Sequence, residues 1–212
     1  MQKQLKHLFP YHFLFILLPL FFVQCQGNKN DKIASEIKFK YFADQYGVER
    51  FITEDDISGV YITLPNCFMD EYSLISITNK HNFYCYDSEV YFTIDRIEKD
   101  DMDYYSAYFA DNATKNQDDL NILRDYAITV RHNSLNNAKK SVYTKITTNK
   151  GKPMLLGSVK GYSTQRNKEI MHQFGIIEGG GGYYVLQSFL SVDNTPFFHE
   201  DIIEIFKSFS AN

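Results

Sequence analysis

Hydrophobic and polar positions alternate along much of residues 59–192, which is the pattern of β-strands with one buried face. In the first half the alternating runs lie at residues 59–65, 72–78, 83–86 and 90–97. In the second half they lie at residues 141–148, 154–162, 169–177 and 183–192, separated by polar or glycine-rich breaks. The last run is apolar on both faces and therefore predicts a central strand that is covered on both sides.

Two segments have the period of an amphipathic helix instead. Residues 118–135 begin with acidic residues, continue with an apolar stripe and end at two asparagines. The second helix is predicted to start with Thr195 as N-cap and Pro196 in the first turn. Its apolar stripe consists of Phe198, Ile202, Ile205, Phe206 and Phe209. A short amphipathic helix is marginal in isolation, so the final helix should pack on the sheet.

The remaining segments predict less regular structure. Residues 32–47 fit either a strand or a helix, and the helix is favoured. Residues 98–103 predict an acidic loop, and residues 104–116 are mixed and polar without a clear period.

The first 24 residues have the layout of an export signal. Lys3 and Lys6 form a basic start, and residues 13–23 form an apolar run. This run is too short to cross a bilayer, because a membrane-spanning helix needs about 20 apolar residues. We therefore expect residues 1–24 to be a signal peptide.

Cys25 follows the apolar run and precedes a polar stretch. This arrangement resembles a bacterial lipoprotein signal, in which cleavage occurs just before a cysteine that carries lipid, although Gln24 stands where that family has a small residue. The resemblance implies lipidation of Cys25 and a membrane partner through the lipid. An ordinary secretory signal and a retained anchor are the alternatives. Residues 25–50 would then be a tether with a possible helix, and residues 51–212 a single domain.

The charge of the chain argues against nucleic acid as a partner. The chain has 26 acidic and 22 basic residues, for a formal net charge of −4. Cleavage before Cys25 would remove Lys3 and Lys6 and no acidic residue, which makes the charge more negative. An acidic protein is repelled by the phosphate backbone.

The cysteine count fits this interpretation. If Cys25 carries lipid, Cys67 and Cys85 remain as a pair in an exported protein, where disulfides form. Two cysteines without a histidine pattern do not make a zinc site. A Cys67–Cys85 disulfide is therefore favoured over two buried free thiols.

The order of elements is a few strands, a helix, four strands and a final helix. With the strand at residues 59–65, the strand at residues 183–192 and the terminal helix that follows it, this order resembles the PsbP-like and Mog-type superfamily. The resemblance covers roughly residues 59–209. It implies an α+β fold in which an antiparallel sheet lies between helices, and it supplies no catalytic residues.

No motif in the sequence predicts a cofactor or a metal site. The glycine run at residues 178–182 precedes a strand, so it offers no helix N-terminus to a phosphate. The acidic cluster of Asp100, Asp101 and Asp103 lacks the glycine and the distal glutamate of a calcium loop. The 16 tyrosines and 18 phenylalanines indicate an aromatic-rich core in preference to an aromatic binding surface.

Two functions follow from these observations. The favoured one is a non-enzymatic lipoprotein of the bacterial cell envelope, at the outer membrane or the periplasmic face, that binds a protein or glycan partner or assists assembly. The alternative is an envelope hydrolase with a dispersed carboxylate site, because paired carboxylates leave no local signature in a sequence.

Overall fold

The computed structural model describes residues 49–54, 60–70, 80–108, 117–141 and 144–211. The strands within these ranges are β1 Glu49–Glu54, β2 Val60–Pro65, β3 Phe68–Asp70, β4 Lys80–Cys85, β5 Val90–Glu98, β6 Asn136–Lys140, β7 Thr144–Thr147, β8 Pro153–Ser163, β9 Lys168–Gly179, β10 Gly182–Ser191 and β11 Ser210–Ala211. The helices are α1 Met102–Tyr108, α2 Asp119–Asn133 and α3 Thr195–Ser208.

The strands form two antiparallel sheets. The large sheet has the order β3-β4-β5-β10-β9-β8-β6, and β7 pairs with another part of β8. The small sheet has the order β1-β2-β11. The predicted α+β class with an antiparallel sheet is confirmed. The strand predicted to be central, β10, pairs with β5 on one side and β9 on the other.

The first face of the large sheet packs against α3 and β2. Their shared core contains, among others, Ile62, Phe92, Leu186, Ile202 and Phe206, each fully buried. A backbone hydrogen bond from Thr63 N to Ser208 Oγ, 2.9 Å long, ties the small sheet to the end of α3. The predicted docking of the final helix on the sheet is therefore what the structure shows.

The second face of the large sheet packs against α1 and α2. This core contains Leu123 and Ile128 from α2, Met102 from α1, and Phe174 and Ile176 from β9. Asp118 caps α2, because its carboxylate accepts a 2.9 Å hydrogen bond from Asn121 N. The large sheet thus lies between helices on both of its faces.

Two predictions of local structure are wrong, and one strand was not predicted. The acidic loop at 98–103 is instead a short 3-10 turn that leads into α1, which is held by the buried side chain of Met102. The segment after α2 is the edge strand β6, whose side chains are mostly exposed, so it has no apolar alternation to reveal it. The cap position of α3 is Asn194, because Thr195 already has helical dihedral angles.

Several other predictions fall outside the described residues. They are the export signal at 1–24, lipidation at Cys25, the strand at 72–78, and the tether and possible helix at 25–50, of which only Glu49 and Arg50 are described, as the start of β1. The strand predicted at 141–148 is described only in part, as β7. Among the described helices, none is long and apolar enough to cross a membrane.

Candidate functional site

A row of aromatic side chains crosses the second face of the large sheet. Tyr84 on β4 lies directly opposite Tyr91 on β5, and Tyr91 lies opposite Phe189 on β10. Phe189 in turn lies opposite His172 on β9. Because opposed residues on antiparallel strands point to the same side, the four rings form one continuous line, which we call the aromatic row.

Three rings of the aromatic row stack on one another, and the fourth, His172, is tilted by 45° against Phe189 with 5.5 Å between the centroids. The centroids of Tyr84 and Tyr91 are 3.9 Å apart with an interplanar angle of 26°, and those of Tyr91 and Phe189 are 4.2 Å apart at 9°. Tyr86 adds an edge contact to Tyr84 at 4.3 Å. Tyr84, Tyr91 and Phe189 are half-buried, whereas Tyr86 is 55% exposed. The faces of the stacked rings are therefore covered by neighbouring rings. Mainly the ring edges remain accessible to a partner.

The guanidinium group of Arg166 lies over the middle of the row. Its central carbon is 4.8 Å from the centroid of Tyr91 and 4.5 Å from that of Phe189. Arg166 belongs to the turn between β8 and β9, and its side chain is exposed. Nearby, Lys168 forms an ion pair with Glu89. Within the described part of the chain, the guanidinium of Arg166 thus contacts aromatic rings, whereas Lys168 binds the carboxylate of Glu89.

A line of polar side chains runs beside the aromatic row. Asn82, Thr93 and Gln187 lie opposite one another on β4, β5 and β10. The side chain of Gln187 is buried, accepts a 3.2 Å hydrogen bond from Arg131 Nη2 and lies 2.8 Å from His172 Nδ1 through its amide nitrogen. The amide therefore connects α2 to the inner end of the aromatic row.

His172 is neutral in the folded protein. Burial, together with the positive charges of Arg131 and Arg166, lowers its pKa to about 3. A neutral imidazole accepts at Nδ1 the hydrogen bond that the Gln187 amide donates, so the remaining proton sits on Nε2. At neutral pH the positive charge at this site therefore belongs to the arginines.

A second group of tyrosines flanks the same side of the molecule. Tyr126 of α2 makes edge contacts with Tyr104, Tyr105 and Tyr108 of α1, with ring centroids 6.4, 4.9 and 5.0 Å away. Tyr104 is 65% exposed and Tyr108 is 47% exposed. Burial, together with a hydrogen bond with Tyr104, raises the pKa of Tyr126 to about 12, so the phenol of Tyr126 remains neutral.

The expectation of an aromatic-rich core holds for several phenylalanines and for Tyr183 and Tyr184, which are also buried. Phe68, Phe83, Phe92, Phe174, Phe206 and Phe209 are fully buried. Many tyrosines lie instead on the second face, half-buried or exposed. Tyr84 and Tyr91 alternate with the core residues Phe83 and Phe92, so their place on the opposite face is readable from the sequence. The sequence does not show that Tyr84 and Tyr91 lie directly opposite each other, because this depends on strand register.

The predicted site residues stand as follows. Cys25 lies outside the described residues. Cys85 is the last residue of β4 and points to the opposite face from its neighbour Tyr84, and Cys67 directly precedes β3. Their Cα atoms are 4.9 Å apart, which suits the predicted disulfide. Among the described residues there is no group of three or more His, Cys, Asp or Glu side chains that could hold a metal ion.

Comparisons with known proteins identify no family. No family model matches the sequence. No curated protein matches it either. Solved structures do match in shape, and the identities are low enough that they describe the fold alone.

The Ran-binding protein Mog1p of Saccharomyces cerevisiae matches with a TM-score of 0.50 and 9% identity, covering 77% of this chain and 95% of its own. The cyanobacterial PsbP (CyanoP) of Synechocystis gives a TM-score of 0.47 at 9% identity, over 77% of this chain and 92% of its own. LpqN, involved in cell envelope biogenesis of Mycobacterium tuberculosis, gives a TM-score of 0.46 at 12% identity, over 82% of this chain and 98% of its own. The chain is thus similar in fold to Mog1p.

Proposed function

We propose that this chain is a non-enzymatic binding module of the bacterial cell envelope, and that it binds a protein partner on the second face of its large sheet. The observation that carries the proposal is the aromatic row with Arg166 lying over it. The lipid on Cys25 would hold the module at a membrane, as the export signal suggests.

The chemistry of this surface is that of a protein interface. Tyrosine and arginine are enriched where proteins bind one another, because they combine a large apolar contact with a polar end. Tyr86, Tyr104 and Tyr108 are exposed around half-buried tyrosines that are already held in place by contacts with neighbouring rings. Side chains that are ordered before binding lose little conformational entropy when a partner docks.

The arrangement of the rings favours a protein over a glycan. A sugar ring would need the open face of an aromatic side chain, and in the row the faces of Tyr91 are occupied by Tyr84 and Phe189. Exposed ring edges and the guanidinium of Arg166 instead suit apolar side chains and a carboxylate on the partner. In keeping with this, Mog1p, which shares the fold, is a Ran-binding protein.

The test is differential capture from native envelope extract, with the full chain as bait. Tyr86→Ser and Arg166→Ser alter exposed side chains of the site, and Phe197→Ser is the matched control, because Phe197 is 49% exposed on α3. We expect one protein to be retained by the parent and by the control and lost with both site variants. Its purified form should then bind the parent directly and bind either site variant at least about tenfold more weakly.

Other outcomes would contradict the proposal. Equal capture by all three variants would place the interface elsewhere. Retention of an envelope glycan in place of a protein would show that the partner class is wrong. Turnover of an envelope polymer by the purified chain would favour the alternative hydrolase, whose carboxylates would then have to be found by substitution.

A further inference from the structure

A cavity of about 410 Å³ lies between α3 and the first face of the large sheet, on the opposite side from the aromatic row. Its walls come from the α3 residues His199, Ile203 and Phe206 and from the β8 and β9 residues below them. Ser141 and Thr144 line its side. The volume is within the range of small-molecule binding sites in proteins, roughly 300–1,000 Å³.

The floor of the cavity is polar although it belongs to a core face. Gln173 on β9 is directly opposite Ser158 on β8 and Ser188 on β10, and all three side chains are buried. Ser188 Oγ donates a 3.3 Å hydrogen bond to Gln173 Oε1, and the Gln173 amide nitrogen contacts Nδ1 of His199. Polar side chains are uncommon in a core face, and these are accommodated by hydrogen bonds to one another and to α3.

The neighbouring part of the same face closes tightly. At Gly175, two residues beyond Gln173, an added Cβ would lie 3.4 Å from the ring of Phe206 and 2.7 Å from the sulfur of Met154. The missing side chain therefore lets α3 approach the sheet at Phe206. The cavity lies where β9 and β8 have Gln173 and Ser158 at positions facing α3 instead of large apolar residues.

From this arrangement we infer that the cavity binds a small neutral molecule with an apolar body and a hydroxyl, amide or carbonyl group. Leu156, Ile203 and Phe206 would contact the apolar body. Ser158 and His199 supply hydrogen-bonding groups at the polar end. The described lining includes no Asp, Glu, Lys or Arg, so an ionised ligand would lose its hydration without a counter-charge.

The experiment compares two fluorescent probes on the full chain. Phenylnaphthylamine is neutral, and anilinonaphthalene sulfonate has the same ring skeleton with an added sulfonate. We expect the neutral probe to bind at one saturable site and the sulfonate to bind at least about tenfold more weakly. Equal affinity for the two probes would overturn the inference of a neutral ligand, and no saturable binding of the neutral probe would overturn the site itself.

Substitutions locate the probe. Ile203→Trp should fill the cavity from α3 and weaken binding of the neutral probe at least about tenfold, while Phe197→Trp, on the exposed side of the same helix, should leave it unchanged. If Ile203→Trp does not fold, Thr144→Trp at an exposed edge position takes its place. Full binding by a folded filling variant would contradict the assignment. Arg166→Ser should bind the neutral probe as the parent does, because Arg166 lies on the opposite face of the sheet. Probe binding and partner binding can therefore be lost independently.

Discussion

The side-chain amide of Gln187 donates a hydrogen bond to Nδ1 of His172 across neighbouring strands, with 2.8 Å between the two nitrogen atoms. The amide is oriented by Arg131, whose Nη2 donates to its oxygen. This contact fixes a neutral imidazole at the inner end of the aromatic row, and it connects the row to α2.

The neutral state of His172 predicts a pH dependence of stability. The pKa is about 3 in the folded protein and 6.5 for an ordinary histidine, so between these values the unfolded chain binds a proton that the folded protein does not. The contribution of His172 to the free energy of unfolding should therefore be complete above about pH 6.5. It should fall by about 1.4 kcal/mol for each pH unit below that value.

Denaturant unfolding of the parent and of His172→Gln between pH 7.5 and about 4 checks this prediction, since only the difference in slope reports the histidine. Parallel curves for the parent and His172→Gln would show that the pKa of His172 is not lowered in the folded protein.

The α3 helix provides a matched pair for testing its role in the core. Phe206 is fully buried, so Phe206→Asp places a charge among apolar side chains and should lower the free energy of unfolding by about 3–5 kcal/mol. Phe197 is 49% exposed on the same helix, and Phe197→Asp should change stability by less than about 0.5 kcal/mol. Equal melting temperatures for the two variants would contradict the docking of α3.

The sequence predicted the elements that have strong apolar periodicity. Strands β8, β9 and β10 and helices α2 and α3 occur within a few residues of their predicted bounds. The strand β6 and the helix α1 were not predicted. In β6 only Ala138 is partly buried, and in α1 only Met102 is fully buried. Their position is set by backbone pairing and by tertiary contacts, which leave no periodic pattern.

The candidate site depended on information that a sequence does not contain. The aromatic row joins residues from four strands, and His172 and Tyr91 are distant in the chain. Strand order and register decide whether such side chains meet, and a shift of one residue would turn every ring to the other face. Arg166 comes from a turn, where no pattern indicates the direction of its side chain.

The Cys67–Cys85 disulfide remains a testable prediction for the exported protein. The cysteines are 18 residues apart, and their Cα separation of 4.9 Å suits a disulfide. We expect mass spectrometry of the unreduced protein to find the linked peptide. Replacing both cysteines by serine should cost about 3 kcal/mol of stability, and two freely alkylated thiols in the native protein would refute the linkage.

Lipid attachment at Cys25 is tested by metabolic labelling with a clickable fatty acid. The parent should be labelled and should sediment with membranes, because each buried methylene contributes about 0.8 kcal/mol and more than one chain gives stable anchoring. The Cys25→Ala variant should lose both the label and the sedimentation. An unlabelled parent in the soluble fraction would contradict the assignment and return Cys25 to the pool of free thiols.

Site-specific photocrosslinking in intact cells tests the proposed binding face most directly. A photoreactive phenylalanine derivative replaces Tyr86 at the edge of the aromatic row in one strain and Phe197 on α3 in another, two positions of similar exposure. The account predicts a discrete crosslinked protein from position 86 that disappears when Arg166 is changed to serine, and none from position 197. No crosslink from position 86, or the same species from both positions, would contradict it.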